Sequence, residues 1–390
     1  MAAGHVVSIK ERAVDKTERR VPYRDAVTTL VPYNAGLGAE EIHRLYAPPR
    51  IAKLGSNENP YGPSPRVRDA LLEATSLEHY PDPNCRDLRE DIARTLGVES
   101  DRLIFGNGSE DILAFACRCF INPGDEVVLS SPTFSVYRDN AIVMGAAIVD
   151  VPRKPDLSLD AAATISALTP QTKLLFLCNP NNPTGNAIPA AEFEAICSAA
   201  HTDTVIVADE AYYEYARGGD YPESIPMLDR MRKHYLVLRT FSKAYGLAGL
   251  RVGYGIASEA AFARHLDLVR SAFNVNRLAQ IAARAAWSDQ AAVAKVVAFT
   301  TAERARVSRA LAAMGHEPAA SRANFVFFDA KRPAVEMAQL LLRQGVIVKP
   351  WSGAFATWLR VSIGCKEDND QFLAAFENAV RAAAPSGSAA

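Results

Sequence analysis

Between Leu103 and Ala257 short β-type runs alternate with helical stretches, and no other property of the chain restricts its fold so tightly. The runs are Leu103–Phe105, Glu126–Leu129, Ala147–Val151, Lys173–Cys178, Val205–Ala208, Tyr235–Thr240 and Val252–Ile256. Strands separated by helices return in the same direction, because parallel neighbours need a crossover long enough to hold a helix. The pattern predicts an α/β fold whose large domain carries a mostly parallel seven-stranded sheet flanked by helices. From about Asn276 to Met314 the chain turns Ala-rich and helical, with few breakers, and can bridge two lobes. Runs at Ala323–Phe328, Val346–Val348 and Trp358–Ile363 around a helix at Pro333–Gln344 predict a smaller α+β domain. A chain of 390 residues exceeds the usual size of one core, which agrees with two lobes.

The 43 basic and 44 acidic residues nearly cancel, so the charge balance favours small-molecule partners over nucleic acid or an anionic membrane. No apolar run approaches the roughly 18 residues of a membrane span, and the start of the chain is polar, so a cytoplasmic location is expected. Cys85, Cys117, Cys119, Cys178, Cys197 and Cys365 form no disulfide-dense or zinc-like pattern and read as reduced thiols. The histidines are scattered as well, and no metal is expected.

The most specific motif is Thr240-Phe241-Ser242-Lys243-Ala244-Tyr245-Gly246, directly after a β-run. A lysine leaving a strand end into a Gly-rich turn can enter an enclosed site, where desolvation favours the nucleophilic free amine that a Schiff base requires. Taken alone Lys243 would read as a surface residue. The run Val205–Ala208 overturns that reading, because it is apolar throughout and ends in Asp209, a costly place for a carboxylate without a cationic partner. A protonated pyridine nitrogen supplies such a partner and keeps the ring able to accept electrons; an N-cap for the next helix is the plainer alternative. Tyr212, three positions on, can donate to the phenolic oxygen of that ring.

Asn179-Pro180-Asn181-Asn182-Pro183-Thr184-Gly185 follows the run ending at Cys178. Its composition suits a plain turn, and it also places the Asn182 amide where it can bond the same phenolic oxygen. In Phe105–Asp111 a glycine turn opens a helix at Gly108, Ser109 and Glu110, whose N–H groups and dipole suit a phosphate. Ser242 and Arg251 can complete that cup. Phe134 follows the next run and can stack on a cofactor ring or serve as an ordinary core residue. Arg360 lies inside the apolar run Trp358–Ile363, where it serves either a structural salt bridge or a substrate carboxylate or phosphate.

Together and in this order the motifs closely resemble the class I/II aminotransferases of pyridoxal 5′-phosphate (PLP) fold type I, and within them the histidinol-phosphate aminotransferase family. The likeness runs from Leu30 to about Phe376 and includes Val31-Pro32-Tyr33, Ser56–Gly62, His79-Tyr80-Pro81-Asp82 and Arg239–Gly253. It implies that Lys243 forms the Schiff base and shuttles the proton, that Asp209 pairs with the ring nitrogen, and that Asn182 and Tyr212 bind the phenolic oxygen. It also implies that Gly108, Ser109, Thr240, Ser242 and Arg251 line the phosphate site and that Phe134 stacks on the ring. Tyr80 matches a residue that reaches the neighbouring subunit's cofactor, which implies a homodimer with shared active sites. Arg360 matches the substrate-anion arginine, while Tyr33 and Asn57 match residues of the substrate site. Lys349 stands where the family usually carries a phosphate-binding arginine and offers a point charge without a two-pronged grip.

The organisation implied is an extension over 1–25, an N-terminal arm joining the small domain over 26–60, the large domain over 61–290, the small domain over 291–384 and a tail over 385–390. The activity implied is ping-pong transfer of an amino group between glutamate and imidazole-acetol phosphate, giving L-histidinol phosphate. Aromatic transamination and decarboxylation of an amino-acid phosphate use the same residues around the ring. A non-catalytic ligand sensor is a further alternative, although the roughly 30 residues before Val31 are too few for an effector domain.

Overall fold

The computed structural model describes residues 21–32, 39–74 and 76–382. Tyr33, most of the N-terminal extension and the tail lie outside the described residues. Twelve strands occur among those described: β1 (Ala52–Lys53), β2 (Leu103–Gly106), β3 (Glu126–Leu129), β4 (Ala147–Asp150), β5 (Thr172–Cys178), β6 (Val205–Asp209), β7 (His234–Thr240), β8 (Gly253–Ala257), β9 (Phe325–Asp329), β10 (Val346–Ile347), β11 (Lys349–Pro350) and β12 (Trp358–Ser362). The seven expected runs form one seven-stranded sheet in the order β2-β8-β7-β6-β5-β3-β4. All of its strands run the same way except β8, which is antiparallel to β2 and to β7. Its reversal has a plain cause: Phe241–Val252 contains only the three-residue 3-10 turn Ala248–Leu250, too little for a parallel crossover.

Alternate residues of the central strands enter opposite cores, as the two-residue period of a strand requires. Leu175, Leu177, Ile206, Ala208 and Val237 pack on one face with Phe193, Ile196, Ala282 and Ala283 of the helices Ala190–Ala199 and Arg277–Trp287. Leu174, Phe176, Val205, Val207 and Leu236 pack on the other with Ile112, Phe115 and Leu266. Each large side chain so enclosed contributes about 1.5–3 kcal/mol. The Ala-rich stretch after Asn276 is helical as expected but divides into Arg277–Trp287 and Gln290–Ala313. Asp289 ends the first and caps the second, its carboxylate accepting from Ala292 N–H at 3.2 Å.

A second core, with Val326, Phe328, Leu341, Phe372 and Phe376, joins the sheet β11-β12-β9 to the helices Ala334–Arg343 and Lys366–Ala382. The segment before Asn59 packs there as expected: β1 pairs in parallel with β10, and Ala52 and Leu54 enter this core. The sites of interest all open at the carboxyl ends of β5, β6 and β7, the usual ligand position in a parallel sheet.

Candidate active site

Cys178 and Asp209, the last residues of β5 and β6, are in register with Leu238 of β7, which continues two residues further to Thr240. Asp209 projects there from an otherwise apolar strand and is 4% exposed. Its Oδ2 accepts from Tyr137 Oη at 2.6 Å and its Oδ1 from Ala211 N–H at 3.1 Å. Burial pushes its carboxyl above the ordinary range despite both donors. None of the ion pairs among the described residues engages it. Asp209 is therefore an enclosed carboxyl group whose surroundings suit a cationic partner, and the capping alternative accounts only for its contact with Ala211.

Lys243 stands three residues past β7, with its Nζ donating to Ser56 O at 3.1 Å and 5.9 Å from the Tyr212 ring centroid. Burial, followed by the nearby Arg360 guanidinium, lowers its amine from 10.5 to about 8. β6, which ends in Asp209, and β7, which leads to Lys243, are tied by a buried ion pair. Arg239 donates to Glu210 Oε2 from Nε at 2.9 Å, its Nη2 lies 2.9 Å from the same oxygen, and its guanidinium lies 3.4 Å from the Tyr213 ring centroid.

A cradle for an anion forms beside the reversed strand. Gly108, at φ 83, precedes the helix Ser109–Phe120, whose first N–H groups have no side-chain cap. Arg251 lies so close that a Cβ on Gly108 would meet its Nη2 at 2.6 Å. A Cβ on Gly253, the first residue of β8, would meet the Ser109 nitrogen at 2.4 Å, so two glycines let the guanidinium and the helix start converge. Thr240 and Ser242 are both buried beside it, and Thr240 Oγ1 accepts from Ser242 N–H at 3.1 Å.

Across the site, Arg360 is 6% exposed and donates to Asn182 Oδ1 and to Gly55 O, each at 2.6 Å. Its guanidinium also lies 5.5 Å from the Phe325 ring and 5.7 Å from the Trp351 ring. Lys349 is its register partner on β11. Tyr212 accepts from Asn57 Nδ2 at 3.0 Å.

These elements enclose a cavity of ≈ 350 Å³. Gly108, Ser109, Glu110, Phe134, Asn182, Asp209, Tyr212, Thr240, Ser242, Lys243, Arg251, Arg360 and Asn57 all line it. Lys349, beside Arg360 in register on the next strand, is not among the lining residues; it is half-buried, its amine lowered by burial and by Arg360. Tyr80 lies away from this cavity, exposed and stacked on Phe273 with ring centroids 4.4 Å apart. Sequence reasoning missed Tyr137 and Ser56. The first lies in the helix Val136–Val143 just after Phe134, its ring edge-on to Phe134 with centroids 5.7 Å apart; the second contributes a backbone oxygen that no side-chain pattern reveals.

The chain matches the family "Aminotransferase class I and II" over residues 49–376. It belongs to that family, the PLP-dependent transaminases of fold type I. Among curated relatives, histidinol-phosphate aminotransferase 1 of Mesorhizobium japonicum is 46% identical over 354 residues, 90% of this chain and 96% of that one. Histidinol-phosphate aminotransferase 3 of Rhizobium meliloti is 42% identical over 91% of this chain and 97% of that one. The crystal structure of histidinol-phosphate aminotransferase from Sinorhizobium meliloti in complex with pyridoxal-5′-phosphate superposes with a TM-score of 0.84 at 29% identity, covering 94% of this chain and 99% of that chain.

The residues present fit PLP. An enclosed carboxylate lacking an ion-pair partner suits a cationic ring nitrogen, a lowered amine suits an aldehyde, and a glycine cradle with an arginine suits a phosphate.

Proposed function

We propose that this transaminase exchanges an amino group between glutamate and imidazole-acetol phosphate in two successive half-reactions, giving L-histidinol phosphate and 2-oxoglutarate. The observation that carries the reading is a single cavity lined by Asp209, Lys243 and Arg360 in a chain so similar to relatives named for that substrate. When bound, PLP supplies an aldehyde carbon for Lys243 and a ring that withdraws electrons from the substrate's α-carbon.

The chain's own residues supply the rest. Lys243 Nζ, its amine lowered to about 8 mainly by burial, would take the proton from the substrate's α-carbon and deliver it to the aldehyde-derived carbon of PLP. Asp209 would hold a proton on the ring nitrogen. Asn182 and Tyr212 would bond the phenolic oxygen, Phe134 would pack on the ring, and Ser109, Thr240, Ser242 and Arg251 would hold the phosphate. Arg360 binds the carboxylate of glutamate in one half-reaction and the phosphate of the second substrate in the other, and the Lys349 charge in register beside it raises the local positive potential. Asn57 completes the wall on the substrate side.

We extend the proposal to a homodimer in which Tyr80 reaches the neighbouring subunit's cofactor phosphate. Tyr80 (76% exposed), Leu77 and Leu72 are each exposed large apolar residues, and Arg277 Nη2 holds the loop by donating to Tyr80 O at 3.0 Å. A cytoplasmic location agrees with six unpaired cysteines.

The test is to add L-histidinol phosphate, glutamate and aromatic amino acids separately to the PLP-loaded protein and follow the cofactor absorbance. Conversion by both L-histidinol phosphate and glutamate is expected. No response to L-histidinol phosphate, with conversion by another amino donor, would reject the substrate assignment.

A further inference from the structure

A tyrosine hydroxyl has one proton, and where that proton points decides whether Tyr212 can serve the cofactor at all. The Tyr212 oxygen accepts from Asn57 Nδ2 at 3.0 Å, so its own proton is directed away from Asn57. The Asn57 amide keeps this orientation because of Ser362. Ser362 Oγ accepts from the Asn57 backbone N–H at 2.8 Å and donates to Asn57 Oδ1 at 2.9 Å. With its oxygen so engaged, the amide presents its nitrogen to Tyr212. Asn57 itself sits at φ 56, and its carbonyl accepts from Asn324 Nδ2 at 3.0 Å. Asn57, Ser362 and Asn324 are 1%, 2% and 1% exposed, so solvent has little access to substitute for any member.

We propose that Ser362 is a positioning residue which, through Asn57, aims the Tyr212 hydroxyl proton at the phenolic oxygen of the cofactor and so sets how tightly the Lys243 linkage holds its proton. Ser362 lies two residues beyond Arg360 on β12, on the same face of the strand, and Arg360 engages Asn182 Oδ1. One strand thus orients both of the side chains assigned to that oxygen. The inference rests on the placement of Tyr212 given under the proposed function. Its physical content is a sign. A hydrogen bond to the phenolic oxygen draws off negative charge that would otherwise retain the linkage's proton, so misaligning Tyr212 strengthens proton binding.

The test uses the PLP-loaded protein and the pH at which its visible absorbance changes, a readout independent of turnover. Wild type, Tyr212→Phe, Ser362→Ala and the double variant are titrated side by side. Both single variants are expected to move the midpoint upward, Ser362→Ala by about half a pH unit. The double variant is expected to match Tyr212→Phe, since the serine acts only through the tyrosine. Should Ser362→Ala fail to fold, Ser362→Cys keeps the shape with a weaker hydrogen-bonding group and carries the same comparison; Ser362→Thr, which retains the hydroxyl, is expected to restore the wild-type midpoint. An unchanged midpoint in Ser362→Ala beside a shifted one in Tyr212→Phe overturns the role of Ser362 and leaves the placement of Tyr212 standing. Additive shifts in the double variant overturn it likewise. No shift in Tyr212→Phe removes both.

Discussion

A carboxylate 4% exposed at the end of an apolar strand is tolerable only if something positive completes it, and Asp209 has a tyrosine hydroxyl and one backbone N–H. Asp209→Asn keeps the side-chain shape and one acceptor oxygen while removing the charge. It should retain PLP and lower kcat by about 10²–10³-fold, measurable in steady-state assays with glutamate. Lys243 gives a pH dependence whose sign is fixed by its lowered amine. Below about 8 the amine is protonated and cannot attack an aldehyde; above it the free amine dominates. The rate at which cofactor-free protein takes up PLP should therefore rise with pH and level off above about 8, as read from the growth of visible absorbance. A flat rate between pH 6 and pH 9 would contradict the lowered amine. Asp209 and Arg360 stood out in the sequence because each is polar at the end of, or inside, an apolar run, and Lys243 and Asn182 because each lies in a breaker-rich turn just past one. Tyr137 was not, since an aromatic residue on a helix looks the same whether it fills a core or donates to Asp209.

Among the elements, the seven runs of the large sheet emerged at their expected places because apolar runs bounded by helices carry that information locally. The direction of β8 did not, since it depends on what the connection from β7 can span, and that connection delivers Arg251 next to Gly108. The closeness of this approach makes a prediction. In Gly253→Ala the new Cβ meets the Ser109 nitrogen at 2.4 Å, backbone that must move, so the variant should lose about 1–3 kcal/mol of stability and bind PLP more weakly. Thermal unfolding and cofactor titration both check it. The pair between β6 and β7 makes another. Glu210→Gln leaves the enclosed Arg239 charge uncompensated and should cost about 3–5 kcal/mol by denaturant unfolding. No pattern in the sequence pairs these two residues, because the contact exists only once the strands are side by side. The break at Asp289 was similarly hidden within a composition that is Ala-rich on both sides of it.

At the scale of the whole molecule, the N-terminal arm, β12 and the strand ends of the large sheet meet around one cavity, so neither lobe holds the site alone. The small α+β domain was legible from its runs. That the Ser56 carbonyl would meet Lys243 was not, because a backbone oxygen so distant in sequence is brought there only by packing. The proposed dimer adds the neighbouring subunit. Tyr80→Ala and Lys243→Ala should each be nearly inactive, and mixing them in equal amounts after subunit exchange should restore about a quarter of the wild-type sites, because half the dimers then hold one complete site. No recovery on mixing would mean that Tyr80 does not act across subunits. The claim on which everything else depends is that Lys243 is the residue joined to PLP opposite Asp209. Reduction of the loaded protein with borohydride followed by peptide mapping tests it most directly. The account predicts loss of the visible band and a single stable adduct on Lys243; an adduct on any other lysine, with Lys243 unmodified, would contradict it.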